Sequence, residues 1–358
     1  MRWTPPRLVT RVIRLLHAAI LAFALELSAS CAAEPVSQRV PSNPASLSSA
    51  DLITPANDAI ERGLRYLAGE QEGDGSFGGG YGRNVAVVGL SGMAFIAGGS
   101  SPGRGPYGKQ LDRCIDYLLA NSQPSGFITV GGATSQGPMY GHGFATLLLA
   151  EVYGMSPQEE VRDKLSAAVK LIVGTQNDEG GWRYQPRPND ADVSVTICQV
   201  MALRAARNAG LHVPAETIDR TVAYVRRCQN PDGGFGYTPR DSSSLFPRSA
   251  AGIVALYSAG VYEGAEIDRG LAYLDRQRPG VARGRTPHYF YGHYYAAQAM
   301  WQTGGERWQL WYPAVRDELL ARQRPGGAWL HSVGPQYATA MACIILQTPN
   351  DLVPIFQR

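Results

Sequence analysis

The chain alternates between two kinds of apolar segment. In the first, apolar residues recur at positions i, i+4 and i+7 with charged residues between them, which is typical of a helix with one buried face. This triple occurs five times, as Ile60, Leu64, Leu67; Leu111, Ile115, Leu118; Leu165, Val169, Ile172; Ile218, Val222, Val225; and Ile267, Leu271, Leu274. The second kind is nearly free of charge, as in residues 85–97, 143–152, 249–259 and 337–346. The pattern predicts outer helices with one solvent-exposed face and inner helices buried on all sides.

Six glutamines mark a repeat with a nearly constant period. Gln71, Gln123, Gln176, Gln229, Gln277 and Gln323 are 52, 53, 53, 48 and 46 residues apart. Five of them are followed, after a glycine-containing turn, by the aromatic residues Phe77, Phe127, Trp182, Phe235 and Trp329. We expect glycine to end each outer helix, glutamine to bind unpaired backbone groups at helix ends, and the aromatic ring to pack between repeats. A fixed period of this length indicates one helical hairpin copied six times.

Six hairpins can stack as an open solenoid or close into a double ring. Closure removes the capping repeats that an open array needs, so we favour the ring. The predicted fold is therefore all-α, an α6/α6 toroid over residues 55–358, with the inner helices around a central cavity. At 358 residues and 44% apolar composition, the chain is long enough for one large domain of this kind.

The N-terminal segment predicts export. Four arginines precede an apolar run of 13 residues at 15–27, followed by small residues, which is the order of a secretory signal peptide at residues 1–33. The run is too short to span a bilayer, so no transmembrane segment is expected in the mature chain. Lipid attachment at Cys31 is the disfavoured alternative, because Leu27 lies four residues before it and not three. Residues 34–54, rich in Ser and Pro, predict a linker, and the expected location is the periplasm or cell envelope.

Charge and cysteine content limit the kinds of partner and site that the chain can have. Residues 1–33 hold four of the 33 basic and one of the 30 acidic residues, which leaves 29 of each. A neutral mature chain does not suggest nucleic acid as a partner. The remaining cysteines lack CxxC spacing: Cys114, Cys198, Cys228 and Cys343. We expect each of them to act as a small buried hydrophobic residue. The alternative of disulfide formation after export stays open. No metal site is predicted, and no cofactor or protein partner is indicated.

The starts of the inner helices are the predicted site. In a toroid these N-termini converge on one end of the cavity, and their unpaired N–H groups favour polar or anionic ligand groups. The residues found there are polar or aromatic: Asn84, Tyr140, His142, Asp192, Ser194, Arg248, Tyr291, His293, Tyr337 and Thr339. We predict Asp192 and His293 as catalytic candidates and the others, apart from Thr339, as ligand contacts. The alternatives are a helix cap for Asp192, backbone bonds for Arg248, and structural roles for His142 and His293.

The repeats resemble those of the terpenoid cyclase and protein prenyltransferase superfamily, whose members fold as α/α toroids. The resemblance rests on segments such as Gly63-Leu-Arg-Tyr-Leu-Ala-Gly-Glu-Gln71, continuing to Gly75-Ser-Phe77, and covers about residues 55–358. The chain also resembles the exported prenyltransferase/squalene oxidase repeat proteins of this superfamily. The resemblance implies one complete α/α toroid.

The catalytic residues of these families match poorly. Squalene–hopene cyclases use an Asp-x-Asp-Asp-Thr segment, and alignment with it puts Asp192 on the first Asp but Ser194 on the proton-donating one. Serine cannot supply a strong acid. Protein prenyltransferases bind zinc with Asp, Cys and His, and the matching positions here are Tyr291, His293 and Ala338, which do not make a zinc site.

Three hypotheses follow from the sequence. The first is an exported toroid that binds an elongated apolar ligand, such as an isoprenoid, in its central cavity. The second is a non-standard cyclase, transferase or lyase of the same superfamily, in which Asp192 and His293 face each other across the cavity and Arg248 clamps an anion. The third is an extracytoplasmic repeat scaffold, for which the cavity would be filled by the protein's own side chains.

Overall fold

Six helical hairpins follow one another in the computed structural model, which describes residues 48–78, 80–131, 137–282 and 286–357. The outer helices are α1 (Asn57–Glu70), α3 (Gly108–Ala120), α5 (Glu159–Gly174), α7 (Ala215–Arg227), α9 (Ala265–Asp275) and α11 (Gly305–Arg322). The inner helices are α2 (Val85–Ala97), α4 (Pro138–Met155), α6 (Val193–Asn208), α8 (Phe246–Ser258), α10 (Tyr289–Thr303) and α12 (Pro335–Gln347). The predicted signal peptide, and the linker as far as residue 47, lie outside the described residues.

The inner helices close into a ring. Each packs against the next inner helix along the chain, and the last one, α12, packs against both α2 and α1. The inner helices are buried on nearly every side, whereas each outer helix buries one face. Over the residues that the structure describes there are isolated β-bridges but no strands. The predicted all-α toroid is confirmed.

The glutamines join neighbouring repeats, a role that we did not predict. The side-chain Nε2 of Gln176 donates to the carbonyl oxygen of Gly180 in its own turn (3.0 Å) and to that of Thr217 in the next outer helix (2.9 Å). Gln323 makes the same two bonds, to Gly327 at 2.9 Å and to Ala59 at 2.8 Å. Since Ala59 belongs to α1, the sixth repeat is joined to the first in the same way as covalently connected repeats are joined.

The turn glycines have a different role from the one we predicted. Gly75, Gly126, Gly180, Gly233 and Gly327 have φ values between 87° and 99°. They lie three or four residues after the glutamine, whereas the outer helices have ended by the glutamine or just before it, so they do not end those helices. A Cβ atom on any of them would lie 2.1–2.5 Å from a carbonyl oxygen of the next outer helix. The glycines therefore allow close approach between neighbouring repeats.

The turn aromatics fill the junctions between repeats. Phe77, Trp182, Phe235 and Trp329 are buried, and Phe127 is half-buried. The indole Nε1 of Trp182 also donates to the carbonyl oxygen of Ile172 near the end of α5, at 2.7 Å. These contacts agree with the predicted structural role.

Residues 48–54, assigned to the linker from the sequence, belong to the helical body. A short helix, Ser49–Ile53, is capped by the hydroxyl of Ser48, and the carboxylate of Asp51 accepts from the Ser48 backbone in return. Leu52 and Ile53 are buried. The helix contacts the 3₁₀ turn Thr348–Asn350, so apolar burial brings the two ends of the ring together.

The last described residues close one end of the ring. A 3₁₀ turn, Pro354–Phe356, contacts α6 and α10, and the ring of Phe356 meets Tyr294 edge-on at a centroid distance of 6.2 Å. The backbone of Ile355 bonds to Glu151 in the last third of α4. This tail therefore lies at the C-terminal end of the inner helices, and the cavity is accessible from the opposite end.

Candidate functional site

A cavity of about 650 Å³ lies at the N-terminal ends of the inner helices. All six helices contribute residues from their first turns or from the residues just before them, so these starts do converge on one end of the ring. Six of the predicted residues line this central cavity: Asn84, Tyr140, Ser194, Arg248, Tyr291 and Tyr337. Apolar side chains complete much of the wall: Ala86, Val87, Phe144, Leu245, Pro247 and Val333.

The central cavity does not extend through the ring. Below the first helical turns, Tyr294 and Tyr295 are fully buried and pack on each other, and Phe144 meets Tyr294 edge-on. Further down, Phe356 covers Tyr294. The available space is thus concentrated at one end of the inner ring, with an aromatic floor.

Asp192 lies in the wall beneath the cavity surface. It is the residue before α6, is fully buried, and its Oδ1 accepts from the backbone N–H of Val195 at 2.9 Å. Its Oδ2 lies 3.3 Å from Nε of Arg183, at an angle that makes an ion pair without a hydrogen bond. Burial raises the pKa of Asp192 to about 6, against the lowering effects of the Val195 N–H, the Tyr237 hydroxyl and Arg183. The carboxyl group is therefore both a helix cap and an acid with an unusually high pKa.

Arg183 connects this buried acid to the cavity. Its Nη1 lies 3.1 Å from the carboxylate of Asp190, and its guanidinium carbon lies 4.8 Å and 5.1 Å from the ring centres of Tyr184 and Tyr237. The hydroxyl groups of those two tyrosines are hydrogen-bonded to each other. The arginine, both tyrosines and Ser194 line the cavity, so the wall beside Asp192 is polar, aromatic and extensively hydrogen-bonded.

Two cavity-lining contacts hold the inner helices in position. The hydroxyl of Tyr291 on α10 donates to the backbone carbonyl of Ser194 on α6, at 3.0 Å across the ring. Arg248 donates from Nε to the carbonyl of Phe235 at 3.0 Å and pairs with Asp241, also at 3.0 Å. Because these bonds occupy the guanidinium, the backbone-bonding alternative describes Arg248 better than the anion clamp.

The two predicted histidines do not line the central cavity. His142 is fully buried, and its Nδ1 accepts from the backbone N–H of Ile128 at 3.2 Å, as expected for a structural histidine. His293 is buried among the rings of Phe246, Tyr289 and Trp311. Burial lowers the pKa of His142 to about 4 and that of His293 to about 3, so both imidazoles are neutral at ordinary pH. The predicted arrangement of Asp192 and His293 facing each other across the cavity is wrong, because both side chains lie within the wall.

Several lining residues that were not predicted from the sequence share one position in the repeat. Tyr184, Tyr237 and His331 line the cavity, and each stands two residues after a turn aromatic, namely Trp182, Phe235 and Trp329. Had the repeats been aligned on those aromatics, this position would have been found. Arg183, Tyr81 and His288, which also line the cavity, carry no such signal.

The part of the chain that the structure describes carries neither a candidate metal site nor a helix that could span a membrane. No group of three or more His, Cys, Asp or Glu side chains there is arranged to hold a metal ion. None of the described helices combines the length and apolar character needed to cross a bilayer. Cys114, Cys198, Cys228 and Cys343 are free and buried, in agreement with the prediction of small buried hydrophobes.

Comparison with known proteins places the chain among toroid proteins. Residues 47–286, about two thirds of the chain, match the family described as the prenyltransferase alpha-alpha toroid domain. A curated relative, drimenyl diphosphate synthase of Streptomyces showdoensis, is 26% identical over 165 residues. That match covers 46% of this chain and 30% of the relative, so the chain corresponds to less than a third of that enzyme's length.

Two solved structures show how widely the fold is shared. A variant of the type II terpene cyclase MstE from Scytonema, in complex with geranylgeranyl dihydroxybenzoate as substrate, superposes with a TM-score of 0.56 at 15% identity, covering 85% of this chain and 99% of the cyclase. Cellobiose 2-epimerase from Bacillus thermoamylovorans superposes with a TM-score of 0.61 at 12% identity, covering 82% of this chain and 99% of the epimerase. At these identities the likeness establishes the fold alone.

Proposed function

Because the chain belongs to the prenyltransferase alpha-alpha toroid family, we propose that its central cavity binds an elongated, largely apolar ligand of the isoprenoid class. One observation carries the proposal: a cavity of about 650 Å³ whose wall combines aliphatic and aromatic side chains with a few hydroxyl and amide groups, two arginines and two histidines. Small-molecule sites typically have about 300–1,000 Å³ and this kind of lining. Burying a hydrocarbon chain there gains roughly 25 cal/mol per Å² of apolar surface removed from water.

The polar groups of the wall would orient the ligand. Tyr140, Tyr291 and Tyr337 present rings and partly exposed edges to the cavity, and Asn84 caps α2 beside them. Tyrosine offers an apolar face and a polar tip, which suits a ligand with one polar end. The cyclase complex with geranylgeranyl dihydroxybenzoate supports the choice of an isoprenoid, because that ligand pairs a long hydrocarbon chain with a polar ring.

Filling the cavity is the direct test of this proposal. Ala86 lines the cavity in the first turn of α2 and is only partly buried, so Ala86→Trp should occupy ligand space without disturbing the packed part of the helix. Binding of geranylgeraniol, measured by isothermal titration calorimetry with native mass spectrometry, should weaken by at least roughly tenfold, or about 1.4 kcal/mol.

Ala223→Trp is the matched control, because Ala223 is exposed on the outer helix α7. It should leave geranylgeraniol binding unchanged. Equal affinity in the Ala86→Trp and wild-type proteins would overturn the central cavity as the site. Failure of the folded wild type to retain geranylgeraniol, farnesol or any component of a bacterial lipid extract would overturn the ligand class.

A second candidate function is acid catalysis on the same ligand. The observation that favours it is Asp192, a buried carboxyl with a pKa of about 6 beside the cavity wall. At that pKa roughly a tenth of the molecules carry the proton at pH 7, which is enough for a general acid. Because Asp192 is fully buried, its proton would reach the ligand through the hydroxyl of Tyr237, which lines the cavity. Asp192 opens an inner helix, as the catalytic segment of the squalene–hopene cyclases does, although Ser194 replaces the proton-donating residue.

Paired substitutions distinguish an acid from a helix cap. Asn is a good N-cap, so Asp192→Asn should keep α6 intact and abolish any conversion of a linear isoprenoid detected by gas chromatography and mass spectrometry. Because the protonated carboxyl would be the active form, conversion should decline as pH rises through about 6. Asp190→Asn, which removes the exposed partner of the same arginine, should retain activity. Conversion that persists in Asp192→Asn would eliminate this candidate.

The proposal also includes the location of the protein. Residues 1–33 have the order of charge, apolar run and small residues of a secretory signal, so we propose that the toroid acts outside the cytoplasm. Cell fractionation combined with N-terminal sequencing of the mature protein tests this: recovery of the uncleaved chain in the cytosol would contradict it. The scaffold hypothesis is disfavoured, because it requires a filled cavity.

A further inference from the structure

Phe144 lies deeper in the ring than the other described residues that line the central cavity. Each of the others lies in a turn or among the first four residues of an inner helix, whereas Phe144 is the seventh residue of α4. The packing of α4 on α2 shows the same depth. A Cβ atom on Gly141 would lie 2.8 Å from the side chain of Val85, the first residue of α2. One on Gly89, a full turn further along α2, would lie 2.9 Å from the carbonyl oxygen of Phe144.

Aromatic side chains fill the space behind Phe144. Its ring meets that of Tyr294 edge-on, at a centroid distance of 6.0 Å. Tyr294 in turn packs against Tyr295 at 4.8 Å and against Phe356 at 6.2 Å. All of these side chains are buried, and Phe144 itself is 5% exposed. Because close-packed rings cannot move aside without losing contacts, the cavity ends at the side chain of Phe144.

The volume of the central cavity limits the size of its occupant. A water molecule takes about 30 Å³ in the liquid, and at that volume for each non-hydrogen atom a cavity of about 650 Å³ holds roughly 20 such atoms. A chain of four isoprene units with one hydroxyl group has about this size. A fifth unit would need nearly the space that the phenyl ring of Phe144 takes.

From this arrangement we propose that Phe144 sets the chain length of the ligand, so that the central cavity accepts chains of up to about 20 carbon atoms and disfavours longer ones. Phe144 belongs to the site of the proposed function, on which this inference rests, and it defines which isoprenoids that site selects. A longer chain would either leave its end in water at the mouth of the cavity or displace the phenyl ring. Both outcomes cost affinity, because apolar surface stays in water or packing is lost.

A competition between chain lengths tests the role of Phe144. One mixture contains geraniol, farnesol, geranylgeraniol and geranylfarnesol at equal concentrations, delivered from cyclodextrin, and native mass spectrometry identifies the alcohols that the protein retains. A second mixture contains the straight-chain alcohols hexadecanol, eicosanol and tetracosanol. This second mixture measures the depth of the cavity independently of whether the ligand is an isoprenoid.

Three variants complete the experiment. Phe144→Ala removes the phenyl ring, and Phe144→Leu keeps a smaller apolar side chain in case the alanine variant does not fold. Phe127→Ala is the matched control, because it removes the same ring from the turn before α4. Phe127 is half-buried against His142, with the ring centres 5.5 Å apart, and it does not line the central cavity.

We expect the wild type to retain geranylgeraniol at least roughly tenfold more than geranylfarnesol, and eicosanol more than tetracosanol. Phe144→Ala should abolish or reverse both preferences, Phe144→Leu should shift them in the same direction by a smaller factor, and Phe127→Ala should keep them. A wild type that retains the longest chains best, or unchanged preferences in the folded Phe144 variants, would overturn the proposal.

The two mixtures separate this proposal from the proposed function. Retention of straight-chain alcohols alone, with a length limit that moves in the Phe144 variants, would overturn the isoprenoid class and support the role of Phe144. Retention of neither mixture would overturn both.

Discussion

Buried ionisable side chains in this ring are shifted towards their neutral forms. Burial raises the pKa of Asp192 to about 6 and of Glu151 to about 8, and it lowers the pKa of His142 to about 4 and of His293 to about 3. The common cause is desolvation, which disfavours charge of either sign. The stability of the toroid must therefore depend on pH in a way that single substitutions can isolate.

Glu151 gives the sharpest prediction of this kind. Its pKa rises from 4.5 to about 8 on folding. The protonated form stabilises the folded state fully below pH 4.5, and that stability is lost as pH rises towards about 8, because the unfolded chain ionises first. Glu151→Gln should therefore melt at a higher temperature than the wild type at pH 8, with a smaller difference at pH 4.5. Thermal unfolding followed by circular dichroism across this range measures the effect.

The exposed residue Glu263 provides the control for this measurement. Glu263→Gln should follow the wild-type curve at every pH. Parallel curves for Glu151→Gln and the wild type would show that the carboxyl group is ionised or solvated in the folded protein.

Properties of single residues also decide which site residues could be predicted from the sequence. Tyr140, Arg248 and Tyr291 were found because helix starts can be located from composition, and the convergence of those starts follows from the ring. His142 and His293 were misplaced because an inner helix is apolar all round and carries no stripe that tells which side faces the cavity. Arg183 lies in a turn whose course depends on tertiary contacts with Asp192, so local sequence could not place it.

At the level of the structural elements, the turn glycines govern how closely repeats pack. Gly180 has a φ of 99°, and a Cβ there would lie 2.2 Å from the carbonyl oxygen of Arg220. Gly180→Ala combines backbone strain with a collision against rigid main chain. We expect it to lower the free energy of unfolding by about 1–3 kcal/mol, with more if the repeats separate. Urea denaturation measures the change.

Gly174→Ala is the matched control, six residues earlier in the same repeat. Gly174 is the exposed last residue of α5, and a Cβ there meets no atom within 4 Å. Alanine should stabilise the helix by up to about 1 kcal/mol. If both variants shift the urea midpoint in the same direction, close approach at the turn is not what makes Gly180 necessary.

The hairpins themselves were largely predictable, and their limits were less so. Val85–Ala97 has the predicted bounds, because Asn84 caps it and a glycine follows it. The fourth helix is longer than the predicted 143–152, since Pro138 opens it and glycines within its first turns made that part look like a loop. The pattern of apolar residues predicts burial well. It does not locate helix ends, because these depend on single capping residues and not on the average composition of a segment.

For the whole molecule, the tail is the feature that the sequence pattern did not predict. Residues 353–356 follow the last repeat and have no period of their own, yet Phe356 is 2% exposed against the base of the ring. Phe356→Ala should cost about 3 kcal/mol and increase the binding of an apolar fluorescent dye, because it uncovers Tyr294. Leu352→Ala, at a 47% exposed position, should change neither the urea midpoint nor dye binding. If the two variants behave alike, the tail does not seal the ring.

The junction between the last repeat and the first has a further consequence. The bonds of Gln323 to Gly327 and Ala59 are the same kind as those of Gln176 within the continuous chain, and the helix Ser49–Ile53 already touches Thr348–Asn350. The position of the chain break is therefore nearly arbitrary for the architecture. A circular permutant that keeps the tail, with a flexible linker from Gln357 to Ser48 and new termini opened in the exposed turn near Glu263, should fold to the same ring.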